Sequence, residues 1–205
     1  MTQAPKHNSL WISPDAVPQP LETSRFVLEP LGEKHAELDF EALMSCRGRL
    51  RRELQWGDWP AEDFTLELNR ADLRGHHAEF VRGEAFAYTV LSPDRTRCLG
   101  CIYLERCTEI EGAQLAFWVI DDALDTEAVL VTDVLQWVHR EWPIDRVLIP
   151  LRDANTRGLA LARQCGFVSW EPVAEGPLSN HRCFLSEAGS GEDLTAKNLP
   201  AGSGW

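Results

Sequence analysis

The chain has 205 residues, 44% of them hydrophobic and 25% charged, with a net charge of −12. That length suits one α/β domain that buries its core without disulfides or metals. The acidity and the lack of any basic run longer than Arg49, Arg51, Arg52 argue against nucleic-acid binding, which needs a basic surface to displace counterions. No stretch is apolar enough to span a membrane, and the first twenty residues lack the apolar core of a signal peptide, so a cytoplasmic protein with reduced cysteines is expected.

Residues 1–20 are rich in Pro and polar residues and read as an irregular arm from which Trp11 and Ile12 can dock on the body. The folded body is expected over 21–188, and the Gly- and Ser-rich 189–205 reads as a flexible tail. The body opens with a strand over Arg25–Leu31, then a helix over Glu33–Cys46 with Leu38, Ala42 and Leu43 at helical spacing. Arg47–Pro60 reads as a loop or broken helix, and a second helix is expected over Ala61–Arg82. Three apolar runs follow, Ala85–Leu91, Cys98–Cys107 and Ala113–Ile120, separated by turn signals as in an antiparallel meander.

A third helix is expected over Thr126–Trp142. Its two apolar rows, Leu130/Val134/Trp137 and Val131/Leu135/Val138/Trp142, make a stripe wide enough to lie on a sheet, and Pro143 stops it. Arg146–Leu151 reads as a buried strand, Thr156–Cys165 as a short helix ended by Gly166, and Phe167–Val173 and Arg182–Ser186 as the last strands. The order implies a central mixed sheet of about seven strands flanked by helices, an α/β (α+β mixed-sheet) class.

The Cys98-x-x-Cys101 pair falls on a strand, where alternation sends the two thiols to opposite faces, so no metal site is expected. The adjacent His76 and His77 diverge on their helix and are expected to face solvent. Asp122 or Asp125 is placed to cap the third helix.

Three segments resemble the GCN5-related N-acetyltransferase (GNAT) superfamily. LETSRFVLEPLGEKHAE is similar to the start of its ribosomal-protein N-terminal acetyltransferases, and FWVIDDALDTEAVLVTDVLQWV to its fourth strand, phosphate loop and third helix. VLIPLRDANTRGLALARQCGF resembles its fifth strand and fourth helix, with Asn155, Gly166 and Phe167 in register. The resemblance implies the acyl-CoA N-acyltransferase fold and transfer of an acetyl group from acetyl-CoA to an amine of a small molecule, peptide or protein N-terminus. It places the cofactor against Phe117, Trp118, Val119 and Ile120, between splayed fourth and fifth strands, with its pyrophosphate at Asp125, Thr126, Glu127 and Ala128 and with Asn155 across the cleft.

The family's phosphate loop is basic and Gly-rich. Here Asp121, Asp122 and Asp125 stand before Thr126, with no Gly or basic residue. One Asp about 6 Å from a phosphate repels it by about 2–3 kcal/mol at an effective dielectric near 20, while a helix N-terminus attracts an anion by about 0.3–2 kcal/mol. The family's Tyr four residues before the helix-ending Gly is replaced by Ala162. Glu105 on the preceding strand, or Asp58 between Trp56 and Trp59, is left as the candidate base, the Trp-Asp loop doubling as a candidate amine ligand. The acidic loop keeps a second reading open, a catalytically silent domain that binds a ligand or protein. An exposed strand edge admits a homodimer.

Overall fold

A computed structural model describes residues 10–189. The expected arm therefore falls outside the described residues over 1–9, and the tail over 190–205. The strands are β1 (Val27–Pro30), β2 (Ala85–Leu91), β3 (Cys98–Arg106), β4 (Ala113–Val119), β5 (Arg146–Leu151), β6 (Val168–Trp170) and β7 (Arg182–Glu187). They form one seven-stranded sheet in the order β1-β2-β3-β4-β5-β7-β6, in which only β4 and β5 run parallel. The helices are α1 (Ala36–Leu54), α2 (Leu66–Val81), α3 (Glu127–Glu141) and α4 (Thr156–Gln164).

The stripe on α3 does what its width implies. Leu130, Val131, Val134, Leu135, Trp137 and Val138 are all buried. Trp137 meets Tyr88 at 5.5 Å and Trp142 meets Phe86 at 4.9 Å, both edge to face, which locks the helix to the centre of β2. A smaller core of Cys107, Ile110, Leu148, Leu178, Cys183 and Leu185 closes the β5–β7 side. The Trp11 and Ile12 amides donate to the Gly83 carbonyl, and Ile12 is buried against the body.

Two helix boundaries differ from expectation. The residues from Arg47 to Leu54 continue α1 instead of breaking it. Leu43, Cys46 and Leu50 are all buried, so the apolar row runs on past Gly48, and its burial outweighs that residue's weak helix propensity. Helix α2 starts at Leu66, where the Thr65 hydroxyl accepts from the Leu68 amide, and Ala61–Phe64 form a turn.

A third difference lies in β3. Val90 pairs with Gly100 but Leu91 pairs with Cys98, so Leu99 is an extra residue bulged out of the ladder. The bulge resets the alternation and brings Cys98 and Cys101 together, correcting the expectation that they point apart. Their sulfurs and an Asp39 oxygen lie within 4.8 Å of one another, all three residues buried. Cys101 donates to Asp39 Oδ1 at 3.2 Å and Asn69 Nδ2 to Oδ2 at 2.9 Å. Burial pushes the Cys101 thiol well up and raises the Asp39 carboxyl despite those bonds. The bulge needs Gly100, where a Cβ would stand 2.0 Å from the Trp118 carbonyl oxygen. Gly100→Ala is expected to lower unfolding stability by about 3 kcal/mol, the upper range for overpacking, as read by urea denaturation.

Candidate functional site

Strands β4 and β5 pair only at Ala113↔Val147 and Gln114↔Leu148. Beyond that point the two strands part, each held from its outer side, β4 by β3 and β5 by β7. The gap is a cleft of about 190 Å³ lined by Gln114–Trp118 of β4 and Ile149–Leu151 of β5. Leu50 and Trp56 from the α1 end, Asn155 and Gly158 from α4, and Leu178 and His181 from the β6–β7 loop complete it. The expected positions Phe117, Trp118, Glu127 and Asn155 thus share one cleft.

A chain of ion pairs runs from this cleft to the loop before α3. Arg49 binds Asp121 through Nε at 2.6 Å and Glu53 through Nη1 at 3.1 Å, and its Nη2 donates to the Val119 carbonyl. Arg157 binds the same Glu53 at 2.9 Å and also Glu127. Two cations thus hold three carboxylates, Asp121, Glu53 and Glu127, for a local charge of −1. Glu53 and Glu127 are nearly buried, with side chains 13% and 5% exposed, so these pairs are poorly screened. Arg49, Glu53 and Arg157 escaped the sequence reading. The first two sit on the part of α1 read as a loop, and Arg157 lies beyond the phosphate-loop stretch.

The start of α3 also departs from expectation. Asp121–Thr126 form a 3-10 turn, and no side chain caps α3. The expected cap by Asp122 or Asp125 is therefore not made. Asp121 is instead held by Arg49 at 2.6 Å, and the exposed Asp122 lies 3.6 Å from Arg97. Asp125 is exposed, Thr126 donates its hydroxyl to the Ala123 carbonyl at 2.7 Å, and the Ala128 carbonyl accepts from Cys165. Ile120 lies in a second hollow, of about 400 Å³, with Asp121, Asp122 and Cys98. Asn155 caps α4, its Oδ1 accepting from the Gly158 amide at 2.8 Å.

The two expected bases stand apart from the cleft lining. Asp58 is exposed in the turn after α1. Glu105 pairs across the ladder with Gln114, beside the closed end of the splay. The Trp residues flanking Asp58 pack on the body: Trp56 lies 5.4 Å from Trp59 and 5.7 Å from Tyr103, whose hydroxyl accepts from Trp118 Nε1. His76 does not point freely to solvent. Its ring lies 5.4 Å from Tyr103 and its Nδ1 3.4 Å from Glu79. Burial pulls its pKa down, but Glu79 and the charges of Asp72 and Glu105 outweigh that and leave it raised.

The acetyltransferase (GNAT) domain family matches residues 25–168. No curated protein sequence matches the chain. Among solved structures, the ribosomal-protein-S5-alanine acetyltransferase of Vibrio fischeri superposes with a TM-score of 0.66 at 13% identity, over 84% of this chain and 98% of that one. RimL, a ribosomal L7/L12 α-N-protein acetyltransferase in complex with coenzyme A, gives 0.65 at 17% identity over 82% and 98%. The microcin C7 self-immunity acetyltransferase MccE, in complex with acetyl-CoA and AMP, gives 0.67 at 13% over 80% and 93%. Among the described residues, no helix is long and apolar enough to cross a membrane.

Proposed function

The chain belongs to the acetyltransferase (GNAT) domain family, and from that premise we propose that it transfers the acetyl group of acetyl-CoA to the α-amine of a protein or peptide N-terminus. The observation that carries this reading is the β4–β5 splay, an open cleft beside unpaired strand backbone with the start of α3 near its rim. A pantetheine arm is a narrow amide chain, and unpaired strand groups can hydrogen-bond it as a ladder strand would. Phe117 and Trp118 supply its apolar wall, and Asn155 fixes the opposite wall by holding α4 in place.

The pyrophosphate goes to the start of α3, where uncapped amides and the helix dipole favour an anion. Arg49 and Arg157 bring there the cations that the loop itself lacks, and Asp121, Glu53 and Glu127 leave the cluster at −1. Among structural neighbours, those named for acetylation of ribosomal proteins favour an N-terminal acceptor. The chain's acidity suits a cationic amine.

The buried Glu127 carboxylate at the start of α3 favours a second reading, a domain whose cofactor site is closed and which binds another ligand. One assay separates the two. The protein is incubated with acetyl-CoA and short peptides bearing free Ser, Ala or Met N-termini, and the peptides are weighed by mass spectrometry. Acetyl transfer that depends on the protein is expected. A protein that leaves every peptide unmodified at millimolar acetyl-CoA supports the silent domain.

A further inference from the structure

We propose that His181 is the general base of the acetyl transfer, taking the proton of the attacking amine at the β6–β7 side of the cleft. The inference rests on the acetyl-transfer reading. Six titratable side chains line the cleft: Arg49, Glu53, Glu127, Arg152, Arg157 and His181. The three arginines stay protonated and cannot accept. Both carboxylates are held in ion pairs by Arg49 and Arg157. His181 is left as the lining group able to accept a proton near neutral pH.

Its setting is built. The His181 amide donates to the Leu178 carbonyl, and Arg152 donates to the Asn180 carbonyl next to it. Glu109 accepts from the Val173 and Leu178 amides, which pins the loop to the β3–β4 connection. His181 Nδ1 is buried and has no hydrogen-bond partner among the described residues. The charged groups around the ring are Arg152 and Glu109. Burial, then the Arg152 charge, lower the pKa and outweigh the opposing pulls of the Leu178 backbone carbonyl and of Glu109. That shift favours the neutral imidazole, the form able to take a proton.

The step balances without a further reagent. The neutral amine nitrogen attacks the thioester carbonyl carbon and forms the C–N bond, and one N–H proton passes to the imidazole. Collapse of the tetrahedral adduct breaks the C–S bond, and the imidazolium returns the proton to the departing sulfur. Amine and acetyl-CoA become amide and CoA thiol. One residue then serves as base and acid, which suits a helix α4 that carries Ala162 where the family's tyrosine stands.

The test is His181→Gln in the full chain, with acetyl-CoA and the peptide series as substrates. A drop in kcat of about 100-fold is expected, the low end for loss of a general base, with the acetyl-CoA dissociation constant unchanged by calorimetry. The wild-type kcat should fall as pH drops below 6.5, the ordinary histidine value, and the variant should lose that limb. Unchanged kcat in a variant that binds acetyl-CoA overturns the assignment and leaves acetyl transfer standing. A wild type that acetylates no peptide overturns both. If the variant does not fold, the wild-type profile decides alone, and a kcat flat across the histidine range overturns the role.

Discussion

Glu127→Gln is expected to tighten acetyl-CoA binding about tenfold, or about 1.4 kcal/mol. Glu127 is the first residue of α3, its side chain 5% exposed, at the point where the pyrophosphate would meet the helix amides. A full negative charge about 6 Å from a phosphate costs about 2–3 kcal/mol at an effective dielectric near 20, and screening reduces what is recovered. The variant keeps the shape of the side chain and removes the charge. Arg157 keeps its bond to Glu53 at 2.9 Å and gains freedom to face the phosphates. Calorimetric titration at two salt concentrations checks the expectation, and the gain should shrink as salt rises. Unchanged or weaker binding would place the phosphates away from Glu127.

Arg157→Met should cost stability on the scale of Gly100→Ala. It leaves Glu127 buried with no cation and removes one of the two cations on Glu53. Breaking a buried pair from one side costs about 3–5 kcal/mol. Because the Arg157 side chain is 33% exposed, the lower end, about 3 kcal/mol, is expected. Acetyl-CoA affinity should fall with it. The double variant Arg157→Met/Glu127→Met should recover most of the lost stability but not the affinity, since the orphaned charge is gone while the cation is still missing. Urea unfolding of the three proteins separates the two effects. A double variant no more stable than the single one would show that Arg157 acts through packing.

Much of the fold was legible because it rests on periodicity. The two rows of α3, the meander of β2–β4 and the Asn155-to-Phe167 stretch are local patterns, and each forms the element it predicts. The misses share a physical cause, a distant partner that overrides a local preference. Arg47–Pro60 reads as a loop or broken helix, yet burial of Leu50 keeps α1 helical to Leu54 and carries Arg49 and Glu53 to the cleft. Asp122 and Asp125 have the local preference of caps, yet neither caps α3, and Arg49, far away in sequence, holds the neighbouring Asp121. One bulged residue at Leu99 reverses the faces of a whole pattern, which no residue type announces. Asn155 is expected across the cleft on the resemblance alone; it lines the cleft and also caps α4, a role that the sequence reading did not give it.

These partners also change the meaning of the acidic loop. Read along the chain it has only negative charge. In the fold, Arg49 and Arg157 stand beside the start of α3, so the site can hold an anion only if they offset Asp121, Glu53 and Glu127. Whether acetyl-CoA enters the β4–β5 cleft is therefore the central question. The direct measurement is thermal unfolding with and without millimolar acetyl-CoA, for the wild type and for Ala116→Trp, which fills the cleft at β4. Ligand at 100 times its dissociation constant stabilises by about 2.7 kcal/mol, so a clear rise in the wild-type midpoint is predicted, and none in Ala116→Trp. No shift in the wild type, or an equal shift in both proteins, would contradict the account.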